Sequence, residues 1–437
     1  MQQEKLKREI GSWGLTFNII NVIIGSGIYV LPVLAAQDIG LDSLMAYLFC
    51  GILLFLIMLC FAELGSKIPV SGGAFIYIEM AFGPFAGFLM MLVFLIGFGG
   101  VAGAAVANAL VNTLAVAIPG LAEPWYRALF LSGLFAMLAW VNIRGIKQGI
   151  GMIKWITVAK LLPLVFIILV GWLLIDPSNL SWEHSPTLSE LGDVTLLLFF
   201  AFIGGEAALT VGGEIKNPAR IVPRSVLVGI SLILIIYILI QLTVLGVLGT
   251  EMTNYRDAPL AEIARRLIGA PGTTVILIGA SISMLGTIGG IILNLPRLLY
   301  AAARDRVLPI PALARIHTKY ATPHLAIIVY VILVALLAIL GTFRSLVVLA
   351  SASTLLIYLS VAAAVMQLRK RKFDQGFTIP GGLIVPGLAI VISIWLMAKL
   401  PPGEWWSMIV FLGICSGLFI LIKLLRKGDT PNDASAS

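Results

Sequence analysis

The chain has 437 residues, of which 60% are hydrophobic and 11% charged, and a formal net charge of +8. Soluble domains carry about 25% charged residues, so this composition excludes a soluble globular protein and points to an integral membrane protein. Cys50, Cys60 and Cys415 all fall in apolar segments, which excludes a disulfide framework and leaves them as small packing residues.

Residues 1–10 are polar and charged rather than built like a secretory signal, and are expected to remain as a cytoplasmic N-terminus. Apolar runs of about 20 residues predict twelve spans, near 11–37, 44–65, 85–116, 126–143, 151–175, 194–214, 224–248, 273–301, 324–342, 345–368, 383–400 and 405–425. Runs of this length exclude an outer-membrane barrel, whose strands alternate over about ten residues. The expected fold class is an all-α integral membrane protein with 12 transmembrane helices. Residues 11–175 and 194–368 form two halves of five spans each, 383–425 hold the last two spans, and 426–437 form a disordered cytoplasmic tail.

With the N-terminus inside, 22 of the 29 Lys and Arg residues fall on the cytoplasmic side and six outside; the remaining one, Lys160, lies within a span. This bias places both termini in the cytoplasm of a multi-pass cell-membrane protein. Basic loops facing anionic lipid account for the net charge and leave no nucleic-acid role. The run "RKRK" at 369–372 reads as a topology anchor.

Span one contains "NVIIGSGIYVLP", in which Gly25-Ser26-Gly27 interrupts an apolar run, and span six contains "FFAFIGGEAALTVGGE", in which Gly204-Gly205-Glu206 does the same. The two interruptions stand at corresponding positions, five spans apart. A unit of five spans repeats with reversed orientation, so the two halves are expected to be inverted copies, as in many transporters. Unpaired backbone in hydrocarbon costs several kcal/mol per group, so paired breaks imply a cavity that a ligand fills. Freed N–H groups at a half-helix start suit a carboxylate, and freed carbonyls suit an ammonium group. Together they describe the backbone end of an amino acid.

Several motifs in order carry a family likeness: "GSGIYVLP" at 25–32, "AELGSKIPVSGGAFIYIEMAFGP" at 62–84, "NIRGIK" at 142–147, "FAFIGGE" at 200–206, "EIKNPARIVPRS" at 214–225 and "ARDRVLP" at 303–309. The chain resembles the amino acid-polyamine-organocation transporter superfamily, and most of all the bacterial relatives of the light-chain L-amino-acid transporters. The resemblance implies a LeuT-like fold of five plus five inverted spans and two peripheral helices. It also implies sodium-independent transport by alternating access, often as exchange, with no chemistry on the substrate. Carried over by position, Gly25, Ser26, Gly27 and the backbone of Ile28 lie at the substrate carboxylate. The carbonyls of Ile23, Phe202 and Ile203, beside Gly204 and Gly205, lie at the ammonium. Phe199, Phe200 or Phe202 serves as the gate. Filling the carboxylate site by Gly27→Val is expected to abolish binding and leave the fold intact.

Lys160, in "ITVAKLLPL", is an ionisable residue well inside a span, where a charge costs about 2.5 kcal/mol or more unless paired or hydrated. In the family a lysine here points to spans one and eight and replaces the ion of sodium-coupled relatives, with Ser283 and Thr287, and also Ser281, as candidate neighbours. Lys154 is expected to snorkel to the cytoplasmic boundary. Glu206 is a candidate proton site or partner of a cationic substrate, but the third span from Ala86 to Ala107 offers no polar group for a guanidinium or distal amine. A neutral amino acid of the alanine, serine, cysteine and threonine class is therefore preferred; the alternative is a cationic amino acid or polyamine exchanger.

Glu63, Asn108, Asn142 and Asn294 read as helix-to-helix hydrogen-bonding residues. His184, His317 and His324 lack metal-ligand spacing, and "GGVAG" and "GTIGG" lack the partners of a dinucleotide fingerprint, so no metal or cofactor is expected and an enzyme is disfavoured. The loop "AIPGLAEPWYR" between spans three and four has no cysteine, so no disulfide-linked heavy chain is expected; the protein would act as a monomer or homodimer.

Overall fold

The computed structural model describes residues 10–68, 74–144, 150–181, 186–209, 215–256, 258–304, 307–320, 322–371 and 376–428. Lys5, Lys7, Arg8, Lys147, His184, Arg306, Lys372 and the tail from 429 lie outside the described residues, as does the side chain of Lys154. Among the described residues the chain is helical, and its one β-bridge joins Ile10 to Ile215.

The first interrupted run forms two helices, α1 (Ser12–Ile23) and α2 (Gly27–Ile39), and α3 (Ser43–Lys67) follows. Two short helices, α4 (Ala74–Phe82) and α5 (Pro84–Leu92), meet at Gly83, whose φ of 92° only glycine adopts at no cost. A π-helical stretch, Val93–Val101, joins α5 to α6 (Ala102–Ala115). Next come α7 (Pro124–Ile143), α8 (Ile150–Gly171) and α9 (Leu188–Phe199). Among the described residues, the second interrupted run continues from α9 as two 3-10 turns, Phe200–Phe202 and Ala207–Leu209. The remainder is α10 (Pro218–Leu248), α11 (Pro259–Ile268), α12 (Ala270–Arg304), α13 (His324–Leu340), α14 (Phe343–Leu368), α15 (Ile384–Met397) and α16 (Pro402–Gly428).

Among the described residues, eight helical segments are long and apolar enough to cross a membrane, and Ser12–Ile23, His324–Leu340 and Ile384–Met397 are shorter apolar helices. The segment Pro84–Ala115 runs through the centre, with 89% of its apolar window buried, against 17% for Pro124–Ile143 and for Pro402–Leu424. The outer helices instead expose large apolar side chains such as Leu169 and Leu340, as a surface bathed in lipid requires.

Several boundaries differ from the sequence expectation. Helix α9 begins at Leu188, six residues before the expected start, because Thr187 and Glu190 form a capping box. Helix α10 begins at Pro218, since proline is well placed in a first helical turn. Helices α4 and α11 are additional to the expectation; at 9 and 10 residues they are shorter than any spanning run.

Arg369 does more than mark topology. It bonds both carboxylate oxygens of the buried Glu63, which also accepts from Lys67 Nζ at 2.8 Å and from the Ile379 N–H at 3.0 Å. This cluster ties the end of α3 to the end of α14. Asn108 donates to the Ala338 carbonyl at 2.9 Å and accepts from Arg127, linking α6, α13 and α7. Asn142 instead bonds its own helix, donating to the Leu138 carbonyl at 2.8 Å.

Candidate functional site

Helix α1 ends because Ile24 turns to an extended conformation, φ −72° and ψ 92°, after which Gly25 and Ser26 carry the chain to the start of α2. The carbonyls of the last turn thus lose their helical partners, and the first N–H groups of α2 have none within the helix. Lys160 of α8, 1% exposed, supplies one set of partners: its Nζ donates to the carbonyls of Asn21 and Ile24, each at 2.9 Å. Ser283 of α12 donates to the same Ile24 carbonyl at 3.4 Å, and Tyr237 of α10 to the Ile23 carbonyl at 3.5 Å. The break is therefore pinned from three helices.

The second break lies directly against the first. A Cβ on Gly27 would stand 2.6 Å from the Ala201 Cβ and 2.7 Å from its Cα, so only glycine allows this approach. Gly204, at φ 125°, passes close over the Val22 carbonyl. Tyr237 bridges the two breaks by donating also to the Ala201 carbonyl at 2.8 Å. Glu206 turns back into its own segment: one oxygen accepts from Tyr358 at 2.8 Å and from the Gly204 N–H at 3.2 Å, and the other is buried without a partner.

Between the breaks, α6 and α12 lies a cavity of about 120 Å³. Ile23, Gly25, Ser26 and Gly27 line it from the first break, Phe200, Ile203 and Gly204 from the second, and Thr287 from α12. Opposite them stand Phe98 of the π-helical stretch and Ala102 and Val106 of α6. Two buried polar atoms of lining residues have no partner, Ser26 Oγ and Asn21 Oδ1. Among the described lining residues none is charged.

Other candidates sit just behind this wall. Ile28 is buried within α2. Gly205 packs near Ile23 and Met58. Of the three candidate gates, Phe199 meets Tyr358 edge to face and Phe202 packs on Tyr237 and Tyr47, whereas Phe200 borders the cavity and leans edge to face on Phe343. Ser281 bonds its own helix and lies off the site, and Thr287 does both, bonding Ser283 and facing the cavity. Asn21 and Asn294 on the cavity wall and Tyr358 on Glu206 are additional to the residues expected at the site. Asn21 had a signal, a polar residue one turn before a glycine break; Tyr358 had none.

No group of three or more His, Cys, Asp or Glu that could hold a metal occurs among the described residues. A helical bundle in which two breaks, one between α1 and α2 and one at the end of α9, meet at a small, mostly apolar cavity is the architecture of a membrane carrier of a small solute. The chain belongs to the amino acid permease family, whose model matches residues 10–424, within the amino acid-polyamine-organocation superfamily. It is 29% identical to the serine/threonine exchanger SteT of Bacillus subtilis (strain 168) over 409 residues, 90% of this chain and 91% of that protein. The branched-chain amino acid permease BcaP of the same organism is 26% identical, covering 98% and 96%, and the b(0,+)-type amino acid transporter 1 of Mus musculus is 27% identical, covering 96% and 88%. These relatives are transporters, not enzymes.

Proposed function

We propose that this chain is a sodium-independent secondary transporter of small to medium neutral L-amino acids, the alanine, serine, cysteine and threonine class, working by alternating access as an exchanger or proton-linked symporter. In this reading it has twelve spans in a five-plus-five inverted arrangement, with both termini cytoplasmic in the cell membrane, and acts as a monomer or homodimer without a heavy chain. The observation that carries the reading is the cavity: both breaks border it, two unpartnered polar atoms point to a polar ligand end, and its described lining holds no charge. The α2 start with Ser26 and Gly27 takes the carboxylate, the carbonyls of Ile23 and Ile203 take the ammonium, and Phe98, Ala102 and Val106 receive the side chain. Lys160 holds carbonyls that a coupling cation would need, in keeping with sodium independence.

A cationic substrate would be served by a carboxylate at the cavity, but Glu206 is not among the described lining residues and one of its oxygens is held by Tyr358 and Gly204. Proteoliposomes loaded with labelled alanine should show counterflow with alanine, serine, threonine or cysteine and none with arginine, lysine or putrescine. Stronger exchange by arginine than by serine would reverse the assignment.

Glu206 is assigned the role of holding the second break, with proton sensing as a consequence. Glu206→Gln keeps a carbonyl for the Tyr358 hydroxyl but cannot ionise, so transport should persist with a flattened pH profile. An unchanged profile would remove the proton role and leave the structural one.

A further inference from the structure

Helices α5 and α16 meet through Phe85 and Phe88, whose rings lie 5.1 and 5.3 Å from that of Phe419. Beside this contact, a groove of about 520 Å³ runs between α4, α5 and α16, within the 300–1,000 Å³ range of small-molecule sites. Its walls are apolar apart from two exposed groups of opposite sign, Glu79 on α4 and Lys423 on α16. Neither side chain forms an ion pair or hydrogen bond within the described protein, with each other or with another group.

The depth of the groove follows from the helices. Lys423 lies 21 residues beyond Pro402, about 32 Å at 1.5 Å per residue, which is about one hydrocarbon thickness. Trp405 and Trp406 mark the opposite boundary, where such rings concentrate. Glu79 lies five residues before Pro84, the first residue of the central span. Both charges therefore stand at one membrane boundary, with the aromatic walls running toward the hydrocarbon.

We infer that this groove binds a phospholipid with a primary-amine zwitterionic headgroup, of the phosphatidylethanolamine kind. Its phosphate meets Lys423, its ammonium donates to Glu79, and an acyl chain lies on Phe85, Phe88 and Phe419. The charge pattern selects this occupant: a choline headgroup has no N–H to donate, and a glycerol headgroup leaves Glu79 facing an anion without a cation. Two charges of opposite sign lining one apolar trough match the two ends of one such headgroup. This assignment does not depend on which amino acid is carried.

Native mass spectrometry of the full chain, titrated with dioleoyl phosphatidylethanolamine, phosphatidylcholine or phosphatidylglycerol, tests it. The ethanolamine lipid should bind about threefold or more tightly than either other lipid, the scale of an exposed ion pair. Glu79→Gln should erase that preference without weakening phosphatidylglycerol, and Lys423→Met should weaken all three. Both residues are exposed, so both variants should keep the wild-type thermal midpoint. Equal binding of the three lipids, a preference that survives Glu79→Gln, or a dimer that covers the groove and holds no lipid would overturn the proposal.

Discussion

Lys160→Ala should cut exchange by at least about tenfold while the protein still reaches the membrane. The side chain donates to two carbonyls at the broken end of α1, and its removal takes the Lys160 donor from the Asn21 carbonyl and leaves Ile24 with Ser283 alone, in a buried setting. A buried polar group left unpaired costs about 1–3 kcal/mol, and about 1.4 kcal/mol corresponds to a tenfold change in an equilibrium constant. Part of that cost falls on the conformation in which the break is held open for substrate, so the loss appears in transport more than in yield. Ser283 still reaches the Ile24 carbonyl, which keeps α1 attached to α12. Lys160→Met separates the charge from the packing: it keeps the apolar stem but donates nothing, and should resemble alanine. Exchange rates at several pH values, with the thermal midpoint as control, check this. Wild-type rates in the methionine variant would show that the ammonium does not hold the break.

The positions of the two breaks were legible because glycine and serine in the middle of a membrane helix conflict with local helix preference, and such conflicts gather at functional sites. Lys160 was legible for a related reason, a charge at a depth where only a partner makes it tolerable. Rotation about the second break was not legible. Phe199, Phe200 and Phe202 are near neighbours of the same apolar character, and one step along a 3-10 turn of three residues per turn swings a side chain by about 120°. The structure sends Phe199 to Tyr358, Phe202 to Tyr237 and Phe200 to the cavity, a choice fixed by partners far away in sequence. Tyr358 itself, 152 positions from the Glu206 it bonds, is one aromatic among many in an apolar helix. The π-helical stretch Val93–Val101, which sets Phe98 on the cavity wall, also reads as ordinary spanning sequence. The early start of α9 is encoded by the capping box in "TLSE", polar residues that lie ahead of the apolar run.

The glycines of the first break should separate packing from binding. The expectation that Gly27→Val would leave the fold intact does not survive the geometry, because even the first carbon of a side chain meets the Ala201 backbone at 2.7 Å. Nothing flexible can yield there; the two breaks would have to move apart, and overpacking of this kind costs about 1–3 kcal/mol. Gly27→Ala should therefore lower the thermal midpoint and remove most transport of every substrate alike. Gly25 differs by one turn of environment: a Cβ there would lie 3.5 Å from Thr287 Oγ1, an ordinary contact, on the wall of the cavity. Gly25→Ala should keep the wild-type midpoint and raise KM, more for threonine than for alanine, because the added methyl takes room from the ligand. Thermal unfolding and concentration-dependent uptake of the two variants give the comparison. A stable, fully active Gly27→Ala protein would show that the breaks do not touch as described. An unchanged KM for all amino acids in Gly25→Ala would move the substrate out of this cavity altogether.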